Sequence, residues 1–255
     1  MEHTCTKRVL FLRHGQAVHN PRAEAAREAG CTHEHFLELT RQDDAFDSPL
    51  TTLGEEQARE VVRRYGSGAL LNVGLVVASS LSRALRTADL AFPPPLSSFT
   101  DGCHPRRVCL DDFREINGWL LNGRRRDRTE LNNVFGSNWD FSSLTDTDKT
   151  WTEAREAEEK AAQRGYEGLI WLACQEEERI LVVSHGGLLR FLMNGHPNVL
   201  LEDGRENHGT DQRDVGARFG NCELREFEMR WSRDNSEQVS ICHSPVFTLT
   251  ELSMD

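Results

Sequence analysis

Two short apolar runs, each opening into a histidine followed by glycine, constrain this chain more than any other feature. Val9-Leu10-Phe11-Leu12 leads into Arg13-His14-Gly15, and Ile180-Leu181-Val182-Val183 leads into Ser184-His185-Gly186-Gly187. Runs this short and apolar at every position read as strands buried on both faces, the pattern of a parallel sheet covered by helices. In an open parallel sheet, ligands bind beyond the carboxyl ends of the strands. Both imidazoles are therefore expected at one shared crevice.

The rest of the chain alternates strand-like and helix-like segments. Strands are expected at 7–12, 73–78, 107–110 and 179–184. The polar–apolar alternation from Cys222 to Met229 reads as an edge or antiparallel strand with a solvated face. Helices are expected at 53–65, 82–91, 151–175 and 187–194. The second is stopped by Pro93-Pro94-Pro95, and the third sets Ala154, Ala157, Ala161, Gly168 and Leu172 near helical spacing. Together these predict a single α/β domain over residues 1–255, a three-layer α/β/α arrangement with a mostly parallel central sheet. Two stretches fit poorly: 20–47, read as a charged helical insertion, and 117–150, long and irregular. Long loops in a compact domain often act as lids, so both are candidates for covering the crevice.

Composition limits what that crevice can bind. Thirty basic residues against 41 acidic give a formal charge of −11, which argues against general affinity for nucleic acid or an anionic membrane. Seven cysteines without CxxC pairs fit reduced thiols, so a cytoplasmic protein is expected. The first apolar run is too short for a signal peptide or a membrane span. Cys31, His33 and His35 alternate in a way that would splay them on a helix, so no metal is expected there. The five tryptophans read as packing residues rather than stacking platforms.

What remains is anion chemistry. Ser79 and Ser80 end the run Leu75-Val76-Val77-Ala78, and Arg83 and Arg86 follow in the first turns of a helix whose amides and dipole favour an anion. Arg13, Arg83 and Arg86 are thus expected to fork onto phosphate oxygens. A neutral imidazole can attack phosphorus, and neighbouring cations disfavour its protonation, which suits His14 as nucleophile. His185 would be most useful as a cation stabilising charge on the transferred group. The leaving oxygen needs a proton donor, and Asp111, Asp112 and Glu115 compete for that role, with Glu115 preferred. Arg124, Arg125, Arg126 and Arg128 form either a solvated charge run or a reader of further acidic groups on a substrate.

These motifs, in this order, resemble the histidine phosphatase superfamily, in its phosphoglycerate-mutase-like branch. The resemblance rests on Arg13-His14-Gly15-Gln16 with Asn20, the stretch from Ser79 to Ala88, Phe113-Arg114-Glu115, and Ser184-His185-Gly186-Gly187. Asp47-Ser48-Pro49-Leu50-Thr51 with Gly54, Gln57 and Ala58 is similar to the element that follows the first motif in that family. It implies His14 as the phosphorylated nucleophile, Arg13, Arg83 and His185 as the phosphate pocket with Gly186 beside them, and Glu115 as the acid. Asn20 and Gln16 would line the pocket mouth. Mutases commonly carry Glu where Gln16 stands, and a tyrosine and a lysine in the region that here reads from Ile116 to Arg124.

The reading that follows is hydrolysis of a small phosphorylated substrate through a phosphohistidine, without metal or organic cofactor. A cofactor-primed phosphoglycerate mutase is the rival, and a phospho-ligand-binding protein that lost turnover is a third. Specificity is expected in 20–47 and 117–150. An exposed edge near 222–229 would allow a homodimer.

Overall fold

In the computed structural model, which describes residues 3–66, 68–70, 72–93, 105–202, 218–233 and 244–254, seven strands form one sheet. They are β1 (His3–Arg13), β2 (Leu75–Ser79), β3 (Arg106–Leu110), β4 (Arg179–Ser184), β5 (Val199–Glu202), β6 (Leu224–Arg233) and β7 (Phe247–Leu252). Their order is β3-β2-β4-β1-β6-β7-β5, and among the described residues β6 alone runs against the others.

The continuous apolar runs follow from this topology. Side chains alternate across a strand, so Val9, Phe11, Leu75, Val77, Ile180 and Val182 enter one core layer while Leu10, Leu12, Val76, Ala78, Leu181 and Val183 enter the other. Helices α6 (Glu158–Ala173) and α7 (Gly186–Gly195) cover the first layer through Leu169, Leu172, Leu188 and Leu192. Helices α3 (Thr52–Tyr65) and α4 (Ser82–Ala91) cover the second through Val61, Ala84, Leu85 and Ala88. Every one of those strand residues is fully buried, each Val, Leu, Ile or Phe contributing roughly 1.5–3 kcal/mol. The three-layer α/β/α expectation is met.

The stretch 20–47 folds into two short helices, α1 (Pro21–Glu28) and α2 (His33–Gln42), and 117–150 contains α5 (Arg128–Phe135) among single turns. The two stretches clasp each other. Asp44 accepts from the amides of Leu121 (2.7 Å) and Asn122 (2.9 Å), and the Asp47 amide donates to the Leu121 carbonyl at 3.1 Å.

Two expectations are overturned. The long third helix begins at Glu158, not at 151, and Ala154 and Ala157 lie outside it. Residues 151–157 are instead laid along the 117–119 turn, where the Trp119 amide donates to the Thr152 carbonyl at 3.0 Å and the Glu156 amide to the Asn117 carbonyl at 2.8 Å. The alternating strand is antiparallel, as expected, but it is no edge: β6 lies between β1 and β7, and the buried Glu226 on its polar face is paired with Arg8 and Arg179. This removes the edge on which a homodimer was expected. Helix α4 ends at Ala91 with Pro93 beyond it, while Pro94 and Pro95 lie outside the described residues. Among the described residues, no helix is long and apolar enough to cross a membrane.

Candidate active site

The register that pairs Arg13 with Ser184 brings His14 and His185 out of adjacent strands side by side. Their ring centroids are 4.9 Å apart, and both rings are buried. Gly15 is required here because a Cβ would lie 2.4 Å from the Gly54 carbonyl, so the His14 loop rests directly on the first turn of α3. His14 Nδ1 lies 2.6 Å from the Gly15 carbonyl, which can only accept. This contact makes Nδ1 the protonated nitrogen and leaves the lone pair on Nε2, toward which Arg83 Nε points from 3.3 Å. Burial first, then Arg83 and Arg13, hold His14 well below the ordinary value of 6.5, so the ring is neutral.

His185 departs from its expected charge. Burial and the nearby Arg83 push it well below 6.5 too, so the ring is neutral rather than cationic. Its Nε2 lies 2.7 Å from Ser79 Oγ, and that oxygen already accepts from the Leu81 amide. The Ser79 hydroxyl proton has no acceptor but Nε2 among the described residues, which puts the ring proton of His185 on Nδ1, facing away from Ser79.

Arg83 is fully buried and donates to the Asn122 carbonyl at 2.7 Å. Burial lowers it to about 10, so it remains cationic at neutral pH. The dipole of α4 does not await a ligand, contrary to expectation. The buried Asp47 carboxylate accepts from the Ser82 amide at 2.9 Å and from the Ser82 hydroxyl, taking the first amide of that helix and setting a carboxylate at its positive end. Arg13 is likewise committed in part: it donates to the Phe219 carbonyl at 2.9 Å and forms a buried ion pair with Glu24 of α1. Neither arginine keeps a full fork, and only Nε of Arg13 and Nη2 of Arg83 lack a protein partner.

Glu115 follows the single turn Asp111–Phe113 and docks on the start of α7. Its carboxylate accepts from the amides of Ile116 (3.0 Å), Leu188 (3.1 Å) and Gly187 (3.4 Å). A side chain at 187 would block this, since a Cβ there would lie 2.5 Å from Glu115 Oε1.

A cavity of about 570 Å³ opens over these groups, with Arg13, His14, Asn20, Glu115 and Gly186 on its wall and His19 and Glu24 beside them. His185 and Arg83 lie beneath His14 rather than on the wall. Among the described residues, five buried side-chain polar atoms have no protein partner: Arg13 Nε, His19 Nδ1, Arg83 Nη2, His185 Nδ1 and Asn221 Oδ1. All belong to this cavity or its floor.

Four expected phosphate contacts are not there. Gln16 turns away from the cavity, its side chain accepting from Thr51 Oγ1 at 3.0 Å. Arg86 makes a surface ion pair with Glu55 at 2.9 Å, because its place on α4 faces α3. Arg124 is exposed and lies over the Trp151 ring at 5.3 Å. Arg125 is buried, tied to Asp111 and to the carbonyls of Thr145 and Thr147, which makes it a structural strut. Of the splayed trio, Cys31 and His33 line the cavity while His35 pairs with Glu38.

His19, Glu24 and Asn122, and the contact of Asp47 with the start of α4, escaped the sequence. No periodicity marks His19, although its place five residues after His14 keeps it in the same loop. It is buried, and burial with Arg83 and Arg13 lowers it well below 6.5.

Fold and site together define a class. The chain belongs to the histidine phosphatase superfamily, branch 1, whose family model matches residues 9–215. It is similar to an Arabidopsis thaliana phosphoglycerate mutase-like protein, 29% identical over 249 residues that cover 88% of this chain and 84% of the relative. Among solved structures, "Mycobacterial hydrolase 2" matches with a TM-score of 0.52 at 20% identity, covering 98% of this chain and 90% of that one. A mycobacterial glucosyl-3-phosphoglycerate phosphatase matches with a TM-score of 0.50 at 17% identity, covering 95% and 96%. At these identities the structural matches speak for the fold alone.

Proposed function

We propose that this protein hydrolyses small phosphomonoesters through a phosphohistidine on His14. The observation that carries this reading is the clustering of unpartnered buried nitrogens from Arg13, His19, Arg83 and His185 around one neutral, lone-pair-bearing imidazole. Buried polar groups are nearly always hydrogen-bonded. Four nitrogens left over at one place, two of them cationic, form a cradle for an anion such as phosphate.

In the first step His14 Nε2 forms a bond to phosphorus while the bond to the alcohol oxygen breaks, and that oxygen takes the proton of a protonated Glu115. Arg83, already aimed at Nε2, and the His185 Nδ1–H hold the phosphoryl oxygens as charge builds on them. In the second step the Glu115 carboxylate removes a proton from water as its oxygen attacks phosphorus. The N–P bond breaks, its electron pair returns to Nε2, and inorganic phosphate leaves. Every group in this scheme belongs to the chain itself.

The similarity to a mutase-like relative favours one rival, in which the phosphoryl group returns to a phosphoglycerate instead of passing to water. A panel of phosphorylated metabolites, assayed for released phosphate with and without a bisphosphoglycerate primer, separates the two. The hydrolase releases phosphate and ignores the primer. Interconversion of phosphoglycerates that depends on the primer, without phosphate release, contradicts the proposal.

A further inference from the structure

We propose that the cavity selects phosphomonoesters whose alcohol carries an apolar, planar body larger than a three-carbon acid; this rests on the phosphatase reading of the same site. The first ground is size. A space of about 570 Å³ lies within the roughly 300–1,000 Å³ range of pockets that enclose drug-sized ligands, far more than one phosphoryl group and a short acid fill.

The second ground is the wall. Beside the polar cradle, the same cavity is lined by Phe36 and Leu37 of α2, Ile116, Trp119 and Leu120, and Phe191 of α7. All six are only partly buried, so part of their apolar surface stays open to the space, although Ile116 also packs against the core. A phosphorylated polyol or a phosphoglycerate would leave that surface without a matching partner.

The third ground is Trp119 itself. Its φ of +63° places a bulky residue in the left-handed region, at a cost of order 1–3 kcal/mol that persists only where the surroundings over-determine it. Here they do. Gly118, at φ +78°, approaches the 151–157 strip so closely that a Cβ would lie 2.0 Å from the Ala154 carbonyl, and the Trp119 amide is bonded to Thr152. The Arg41 guanidinium also lies over the indole at 5.7 Å. Two other rings of the wall also carry a guanidinium, Phe36 that of Arg27 at 4.9 Å and Phe191 that of Arg190 at 5.4 Å, and both arginines line the cavity themselves. Aromatic walls fixed before a ligand arrives lose little freedom on binding a flat group.

The test compares 2-phenylethyl phosphate with propyl phosphate, whose leaving alcohols have similar acidity, and with 3-phosphoglycerate. The proposal expects kcat/KM for the phenylethyl ester to exceed both others by about tenfold or more, mainly through KM. Trp119→Ala should shrink the phenylethyl-to-propyl ratio to about twofold. Phe191→Ala should reduce it partway, which covers the case of a Trp119 variant that fails to fold. Equal rates for the two alkyl esters, or a preference for 3-phosphoglycerate, overturn the inference. Calorimetry with the non-hydrolysable 2-phenylethyl- and propylphosphonates keeps the two readings apart. Tighter phenylethyl binding without any phosphate release sinks hydrolysis but not the cavity, and equal binding sinks the cavity whatever the turnover.

Discussion

The floor of the cavity and its walls are built by opposite means. The floor is a few polar residues delivered by strand ends and first helical turns: His14 after β1, Arg83 in α4, His185 after β4, all buried and held by the sheet register. The walls come from α1, α2 and the 116–122 turn, elements half exposed and fastened to one another by single carboxylates such as Asp44. Among the described residues the two regions are tied by Arg13 with Glu24, by Ser82 with Asp47 and by Arg83 with the Asn122 carbonyl. The proposed chemistry thus rests on residues held by the sheet, and the proposed selection of substrate on shorter elements tied to them.

The comparison breaks if a group of the proposed chemistry proves dispensable, and Glu115→Gln is the sharpest such trial. Loss of the acid should slow alkyl phosphates by about 10²–10⁴-fold, whereas aryl phosphates, whose phenols depart without a proton, slow by less than about tenfold. Steady-state kinetics on matched alkyl and aryl esters decide it, and equal slowing points to another acid.

Next in size is Arg125→Met, which should cost stability rather than activity. Without the strut the Thr145 carbonyl loses its donor, and Asp111 and the Thr147 carbonyl each lose one of theirs, a loss of about 2–4 kcal/mol. Because Arg125 lies off the cavity, KM for phosphate esters should stay within about twofold. Denaturant unfolding and kinetics on one sample check both halves, and a large KM rise would return Arg125 to the substrate.

The floor should also leave a mark in the pH dependence of stability. His14, His19 and His185 all titrate below their ordinary 6.5 in the fold. The unfolded chain thus takes up protons that the native one refuses as pH drops through 6.5. Stability is full above that value and falls below it, by up to about 1.4 kcal/mol per pH unit for each ring. Thermal melts from pH 7.5 downward should show the decline, lessened in His19→Gln; melts unchanged down to pH 5 would contradict neutral buried rings.

The smallest effect belongs to Arg86→Ala. Its partner Glu55 is a surface contact, side chains 45% and 31% exposed, so stability should change by no more than about 0.5 kcal/mol and KM hardly at all. A marked KM increase would extend the phosphate site onto the outer face of α4.

The same division explains what could be read from the residues alone. Floor elements are local: an apolar run ending in His-Gly carries its own strand and its own ligand group, and α4 lies at the expected 82–91. The strand before it places the Asp111–Glu115 segment at the crevice, with Asp111 and Asp112 competing with Glu115 for the acid's role. Walls and struts are long-range. Arg125 lies in a basic run that looks solvated, and only carbonyls some twenty residues onward bury it. Glu24 looks like any helix-surface acid until the fold sets it against Arg13. Likewise the alternation at 222–229 marks a strand but is silent about β7, which covers its edge. The lowered pKa of His185 is illegible in the residues for a related reason, since burial depth is a property of the assembled layers.

The central claim is covalent chemistry at His14, and rapid quenching with a radiolabelled phosphoester tests it most directly. The account predicts an acid-labile, alkali-stable label that forms during turnover, maps to the peptide containing His14, and vanishes with almost all activity in a folded His14→Ala protein. A wild-type enzyme that turns over without such a label, or a His14→Ala protein that still acquires it, would contradict the account.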